Sequence, residues 1–178
     1  MKFLDPSDAL KQFGIYGAQD VGDFGAGAGH FSFAAARRLE GGRLYSIDVE
    51  KEMLARLAAE AKLLGHTNIH PLWGDVSRRR GVPLADATLD RAIVSNILFQ
   101  VDDRSALVQE IRRLLRSDGK VLLIEWKGDV AGGPHPNHKV PEEVALSLFK
   151  RYGFKKERSI DVGDVHYGMI LVRDSSSS

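Results

Sequence analysis

The stretch V-G-D-F-G-A-G-A-G-H-F, residues 21–31, holds four glycines within a short span. The segment Asp20–Phe24 that leads into it is predicted to be a β-strand, and a helix rich in small residues is predicted from about Gly29 to Leu39. A glycine-rich turn between a strand and a helix N-terminus is typical of sites for nucleotide-like ligands, because glycine lets the main chain approach the ligand closely. This turn therefore decides which fold class to expect.

Four interpretations compete for the glycine turn. A phosphate-binding loop needs a lysine directly after the glycines, and none follows here. A dinucleotide fingerprint, G-x-G-x-x-G, needs glycine at the position that His30 occupies. A purely structural turn remains open, since glycines permit positive φ angles for many reasons. The string that fits best is D-x-G-x-G-x-G, formed by Asp23, Gly25, Gly27 and Gly29.

Strand and helix patterns alternate outward from this turn, which predicts an α/β fold with a largely parallel sheet. The segment Ser117–Lys120 is predicted to be a turn, and Gly163-Asp164 joins the last two strands as an antiparallel hairpin. We expect one domain over residues 1–174 and a disordered tail of serines over residues 175–178. Further strands are expected at Arg43–Asp48, Ile69–Trp73, Leu89–Ser95, Val121–Trp126, Lys155–Val162 and His166–Val172.

Acidic and polar residues stand where the predicted strands end. Asp48 ends the second strand, Gly74-Asp75-Val76 follows the third, and Ser95-Asn96 closes the fourth. Ligands of open α/β sheets bind outside the carboxyl ends of the strands, so these residues and the glycine turn are expected to share one edge. Asp48 and Asp75 are also suited to capping the helix or turn that follows each of them. Their agreement in position favours a cofactor site.

With these segments the sequence resembles the class I S-adenosylmethionine-dependent methyltransferases, in particular the ubiquinone/menaquinone-biosynthesis type. The resemblance rests on D-F-G-A-G-A-G, I-D-V-E-K-E-M-L and L-L-R-S-D-G-K-V-L-L-I-E-W, and it covers nearly the whole chain. It implies a Rossmann-like sheet of seven mostly parallel strands in the order 3-2-1-4-5-7-6, with the last strand antiparallel and helices on both faces. It also implies that S-adenosylmethionine is bound by Asp23, Phe24, Gly25, Ala26, Gly27, Gly29, Asp48, Val49, Gly74, Asp75, Val76, Ser95 and Asn96.

The function that the resemblance implies is transfer of the methyl group of S-adenosylmethionine to a small-molecule acceptor by in-line displacement. His138 and His166 are candidate general bases, since histidine titrates near neutral pH. Phe99, His135 and Tyr167 are candidate residues of the acceptor pocket. Two alternatives stay open: a non-catalytic regulatory protein that binds S-adenosylmethionine, and an NAD-binding oxidoreductase.

The composition of the chain limits which binding partners and which cellular location are expected. The 178 residues carry 25 lysines and arginines against 24 acids, for a net charge of +1, so neither nucleic acid nor a membrane surface is expected as a partner. The absence of cysteine excludes disulfides and thiolate metal sites, and no metal ligand set is evident. We expect a cytoplasmic protein, and a second copy in a homodimer is one way to complete the acceptor pocket.

Overall fold

The computed structural model describes residues 1–128, 130 and 133–174. The helices are α1 (Pro6–Phe13), α2 (His30–Ala36), α3 (Lys51–Leu63), α4 (Arg104–Leu114) and α5 (Glu142–Arg151), with a 3₁₀ turn at Pro136–His138. The strands are β1 (Asp20–Phe24), β2 (Arg43–Asp48), β3 (Ile69–Trp73), β4 (Leu89–Ser95), β5 (Leu115–Trp126), β6 (Phe154–Ile160) and β7 (His166–Arg173). The serine tail, residues 175–178, lies outside the described residues.

The strands form one sheet in the order β3-β2-β1-β4-β5-β7-β6, which confirms the order that the resemblance implies. Neighbours from β3 to β5 pair in parallel, and β7 pairs antiparallel with both β5 and β6. The chain order reverses between β1 and β4, and the turns that follow these two strands meet at that point. Such a switch point opens a crevice at the carboxyl edge of the sheet, where ligands of this architecture bind.

Two apolar layers cover the two faces of the sheet. One layer packs α4 and α5 against it through buried side chains such as Leu107, Ile111 and Phe149. The other packs α1, α2 and α3 through side chains such as Leu10, Phe33 and Leu57. The helices on both faces shield the inner strands from water, which explains why the short strand β1 is buried at every position.

The predicted turn Ser117–Lys120 is wrong, because these residues belong to β5. Leu115 pairs with Leu89 and Lys120 pairs with Arg91, so the intervening residues of β5 face a single residue of β4 and form a bulge. The turn-forming residues are accommodated by this bulge without ending the strand. The first predicted helix after the glycine turn is also shorter than expected, since α2 ends at Ala36.

Candidate active site

The glycine turn has a backbone that side chains rarely allow. Gly25, Gly27 and Gly29 have φ angles of 75°, 50° and 82°. The amides of Gly25 and Ala26 both donate to the carbonyl oxygen of Ile47, at 2.8 and 3.0 Å, which ties the turn to the neighbouring strand β2. These two bonds fix the side of the turn that faces β2, and the other side of the turn faces the crevice.

The glycines of this turn are required for different reasons. A Cβ at Gly25 would stand 2.6 Å from Cδ1 of Ile97, and one at Gly29 would stand 2.9 Å from Cδ1 of Leu57, so both positions are closed by packing. A Cβ at Gly27 would meet nothing nearer than the carbonyl oxygen of Gly25 at 3.9 Å. Gly27 consequently leaves open space on the side where a ligand would lie.

Asp48 connects the glycine turn to the start of α3. Its Oδ2 accepts a hydrogen bond from the amide of Gly27 at 2.8 Å, and its Oδ1 accepts one from the amide of Glu50 at 2.9 Å. Both acceptor oxygens keep a second lone pair, so the carboxylate can also accept from ligand hydroxyls. The structure thus gives Asp48 a local structural role at a position that faces a cavity.

Asp75, after β3, closes the same cavity from the other side. Its Oδ1 accepts from the amide and hydroxyl of Ser77 at 3.0 and 2.5 Å, and its Oδ2 pairs with Nε of Arg78 at 2.8 Å. The hydrogen bond from the Ser77 hydroxyl holds the pKa of the Asp75 carboxyl below its usual value, although burial opposes this. Asp75 is therefore a fixed carboxylate at the edge of the crevice.

We call the space between these two carboxylates the acid-lined cavity. It has a volume of about 510 Å³, within the usual range for a small-molecule site. Val49 is partly exposed on its wall, which gives an apolar surface beside the acids. The cavity is lined by Gly25, Gly27, Ile47, Asp48, Val49, Glu50, Met53, Gly74, Asp75, Val76, Ser77, Ile97, Gln100, Val101 and Asp102.

A second space, which we call the α2 cavity, lies on the other side of the glycine turn. Its volume is about 560 Å³, and it shares Gly25 with the acid-lined cavity. The start of α1 and one face of α2 form its walls, and the ends of β1 and β4 form its floor. It is lined by Leu4, Pro6, Ser7, Asp23, Gly25, Ala26, His30, Phe31, Ala34, Arg37, Ser95 and Asn96.

Asp23 on the floor of the α2 cavity is a buried carboxyl with one side-chain donor. It is 3% exposed and accepts a hydrogen bond from the hydroxyl of Ser32 at 2.7 Å. Burial raises the pKa of Asp23 to about 6, and the nearby carboxylate of Asp48 acts in the same direction. The protein only partly compensates the negative charge of the ionised Asp23 carboxylate, so a cationic ligand group beside it would stabilise that charge.

Asn96 on the same floor is strained and incompletely paired. Its φ angle is 55°, which is uncommon for a residue other than glycine and is found disproportionately at functional sites. Its amide donates to the carbonyl oxygen of Ile124 at 2.9 Å. Its buried Oδ1 has no hydrogen-bond partner among the described residues, and this atom suits a donor on a bound ligand.

Glu125 on β5 is a functional candidate that the sequence patterns did not reveal. It is 1% exposed, and its Oε1 accepts from the amide of Leu98 at 2.6 Å. Burial raises the pKa of Glu125 to about 7, against the effect of the backbone amides that donate to it. The signal for it was an acid placed at the end of an otherwise apolar strand.

Three predicted site residues have other surroundings. The phenol of Tyr167 donates to the carbonyl oxygen of Val140 at 2.8 Å, and burial raises its pKa. His166 is 6% exposed and packs on Trp126, with ring centroids 4.2 Å apart. Phe99 is partly buried and packs against the core layer of α4 and α5.

The two remaining predicted histidines lie on the surface after β5. His135 and His138 are exposed, and their ring centroids lie 6.0 Å apart. Neither histidine lines either cavity in the part of the chain that the structure describes, and the same holds for His166, Tyr167 and Phe99. Phe24, predicted to touch the cofactor, is fully buried beneath the turn.

Several known proteins are similar to this chain in sequence and structure. A family model described as a methyltransferase domain matches residues 22–123. Malonyl-[acyl-carrier protein] O-methyltransferase from Hahella chejuensis is 30% identical over 152 residues, which cover 78% of this chain and 52% of that protein. Ubiquinone/menaquinone biosynthesis C-methyltransferase UbiE from Citrifermentans bemidjiense is 27% identical over 119 residues, which cover 66% and 50%. The chain spans about half the length of the curated relatives that it matches.

Among solved structures, a SAM-dependent methyltransferase from Aquifex aeolicus has a TM-score of 0.88 and 25% identity, and the match covers 95% of this chain and 89% of that chain. The family model matches more than half of the residues of this chain, which therefore belongs to the methyltransferase domain family. Its cofactor is S-adenosylmethionine, as the resemblance implied.

The residues of the site fit this cofactor. Gly27 leaves room for a ligand beside the main chain, and the unpaired Oδ1 of Asn96 together with the carboxyl of Asp23 suits an ammonium group. Carboxylates and no lysine line the acid-lined cavity, which suits an adenosyl group without phosphate. Within the described ranges, no cluster of histidine and acidic side chains could hold a metal ion, and no helix has the length and apolarity needed to cross a membrane.

Proposed function

We propose that this protein transfers the methyl group of S-adenosylmethionine to a small-molecule acceptor. The observation that carries the proposal is the pair of cavities that meet at Gly25. One cavity is lined by carboxylates and the other by mixed polar and apolar groups, so the first suits the adenosyl end of the cofactor. The second has room for both its methionine end and an acceptor. The proposal thus assigns the two substrates to adjoining spaces.

We propose the following roles for the residues of the acid-lined cavity. Asp48 accepts hydrogen bonds from ribose hydroxyls, as an acid at the end of the second strand does in Rossmann-like sheets. Asp75 accepts from the adenine amino group, and Val76 and Val49 pack beside the adenine ring. Gly74 and Gly27 keep the main chain close to the ligand. These roles use the side chains in the positions that line the cavity.

In this proposal the methionine end of the cofactor lies on the floor of the α2 cavity. Asp23 and Asn96 accept hydrogen bonds from its ammonium group, while Ser95 and the backbone of Gly25 and Ala26 line the same space. When bound, the cofactor supplies an electrophilic methyl group on a positively charged sulfur. The protein contributes binding and alignment, and such positioning supplies about 7–11 kcal/mol toward lowering a reaction barrier.

The proposal of a general base on His138 or His166 rests on the sequence pattern. Both side chains stand at the sheet edge that carries the site, but neither lines a described cavity. Transfer to an acceptor that already has an available lone pair needs no base to activate it, and the positive sulfur departs as a neutral thioether that needs no proton. We therefore propose positioning as the main contribution of the chain.

The alternatives predict different binding behaviour. A regulatory protein would bind S-adenosylmethionine without forming S-adenosylhomocysteine from it with any acceptor. An NAD-binding oxidoreductase is not favoured by the family to which the chain belongs. A homodimer that completes the acceptor pocket also remains a proposal, and sedimentation that shows only monomer would contradict it.

Calorimetric titration of the purified chain tests the proposal. We expect S-adenosylhomocysteine to bind and NAD not to bind. Asp48→Ala should weaken S-adenosylhomocysteine about tenfold or more, since a hydrogen bond to a charged group contributes about 1.5–3 kcal/mol. Asp118→Ala is the matched control, because Asp118 is exposed in the bulge of β5. Incubation with radiolabelled donor and a panel of small acceptors then separates an enzyme from a binding protein.

A further inference from the structure

The polar groups of the α2 cavity are arranged in two sets. The floor offers acceptor atoms, the carboxyl of Asp23 and the unpaired Oδ1 of Asn96. The wall formed by α2 offers donors, the imidazole of His30 and the guanidinium of Arg37. A ligand that fills this cavity therefore meets acceptors at its inner end and donors along α2, of which the guanidinium of Arg37 is a cation.

Arg37 is a cation without a partner in the described structure. It is exposed at the end of α2, where its backbone amide donates to Phe33, but no hydrogen bond or ion pair joins its guanidinium to another described residue. The next arginines along the chain are occupied: Arg38 donates to the carbonyl oxygen of Ile15, and Arg43 pairs with Asp20. An unpaired guanidinium that lines a cavity is suited to bind a carboxylate through two parallel hydrogen bonds.

The helix geometry directs Arg37 into the cavity. His30 and Arg37 are seven residues apart, which is about two turns, so both lie on one face of α2 and about 10 Å apart along its axis. Ala34 lies between them on that face and is buried, so only a small side chain separates them along the helix. Long side chains on a helix lean toward its N-terminus, which brings the guanidinium of Arg37 back toward the glycine turn.

Building on the proposed methyl transfer, we propose that the α2 cavity takes a methyl acceptor that carries a carboxylate, and that Arg37 binds this carboxylate. The inner acid, Asp23, is committed to the ammonium group of the cofactor, so the charge of Arg37 is left for an anion. Arg37 lies two turns beyond the glycine turn, while His30 follows that turn directly. The carboxylate at Arg37 is accordingly an anchor, and the atom that accepts the methyl group lies nearer the floor.

A comparison of the affinities of two matched probes tests this inference. The full chain is saturated with S-adenosylhomocysteine, and the affinities of benzoate and benzamide are measured by ligand-observed NMR. We expect benzoate to bind about tenfold more tightly than benzamide. Arg37→Gln should abolish this preference, and Arg37→Lys should retain part of it because the charge remains without the planar fork. Arg56→Gln, at an exposed position of α3, is the control and should keep the full preference.

Each other outcome has a definite meaning. Equal binding of benzoate and benzamide to the unaltered protein overturns the inference while leaving cofactor binding intact. If Arg37→Gln weakens S-adenosylhomocysteine itself by as much as benzoate, Arg37 holds the carboxylate of the cofactor, and the inference is overturned. If S-adenosylhomocysteine does not bind the unaltered protein, the proposed function itself fails. A loss of preference in Arg56→Gln would show that the effect is one of overall charge, which also overturns the inference.

Discussion

The carboxylate of Glu125 on β5 accepts a hydrogen bond of 2.6 Å from the backbone amide of Leu98, in the turn that follows β4. Nε of Arg104 donates to the carbonyl oxygen of Leu98 at 2.7 Å, so side chains hold both backbone polar groups of this residue. The turn also carries Asn96 and Ile97, which line the α2 cavity and the acid-lined cavity respectively. A buried acid that lines neither cavity is thus bonded to the turn that carries two of their lining residues.

The burial of Glu125 predicts a specific dependence of stability on pH. Its pKa is about 7 in the folded protein and near 4.5 in the unfolded chain, so the folded state binds the proton more tightly between these values. The free energy of unfolding should therefore fall as pH rises from 5 to 8, by on the order of 2–3 kcal/mol from this group. Glu125→Gln removes the titration, and urea unfolding of both proteins at each pH should show the difference between them changing through this window.

Glu60→Gln provides the control for this series. Glu60 is exposed on α3, so its substitution should leave the pH dependence of stability unchanged. Because Asp23 and His166 titrate in both proteins, their contributions cancel in the comparison. A constant difference between the unaltered protein and Glu125→Gln from pH 5 to pH 8 would contradict the raised pKa of Glu125.

A substitution at Gly27 should weaken cofactor binding with little effect on stability. A Cβ there meets no atom nearer than 3.9 Å, so Gly27→Ala should lower the free energy of unfolding only through its φ of 50°, by about 1 kcal/mol. Gly41→Ala is the matched control, since Gly41 has a φ of 80° and open space around its Cβ position, away from both cavities. We expect similar stabilities for the two variants in urea unfolding and at least tenfold weaker binding of S-adenosylhomocysteine by Gly27→Ala alone. Equal affinities would remove Gly27 from the cofactor site.

Much of the fold was predictable because strand and helix periodicities alternate so regularly. The error at Ser117–Lys120 has a physical reason: residues typical of turns occupy a bulge of β5, and pairing of Leu115 with Leu89 draws the strand beyond them. Local sequence cannot show this, because the pairing depends on a strand more than twenty residues away. The sheet order likewise came from the resemblance and not from local patterns.

The site was predictable in part, since Asp48 and Asp75 do line one cavity at the end of the strands. The walls of the α2 cavity were not, because the start of α1 reaches the cavity only through tertiary packing. Glu125 was missed for a related reason. An acid at the end of an apolar strand is usually exposed at the rim, and only the structure shows that Glu125 is buried and accepts a hydrogen bond from a backbone amide after β4.

His166 offers a test of whether a histidine serves as a base. Both ring nitrogens are buried without a hydrogen-bond partner among the described residues, and burial lowers the pKa of His166 below its usual value. The unfolded chain takes up this proton near pH 6.5 whereas the folded protein does so only at lower pH, so the free energy of unfolding should fall as pH drops from 7 to 5. His166→Phe should fold stably and reduce this loss, because phenylalanine retains the packing on Trp126 without a titrating group.

The same variant, assayed with any acceptor that the screen identifies, distinguishes packing from catalysis. Removal of a general base would lower turnover by about 10²–10⁴. Because His166 lines neither cavity, we expect His166→Phe to retain turnover and to leave the affinity for S-adenosylhomocysteine unchanged. His138→Phe, on the exposed 3₁₀ turn, is the parallel measurement for the other candidate. A large fall in turnover for either variant, with cofactor affinity intact, would identify that histidine as the base and would require the sheet edge near β7 to contribute to the acceptor pocket.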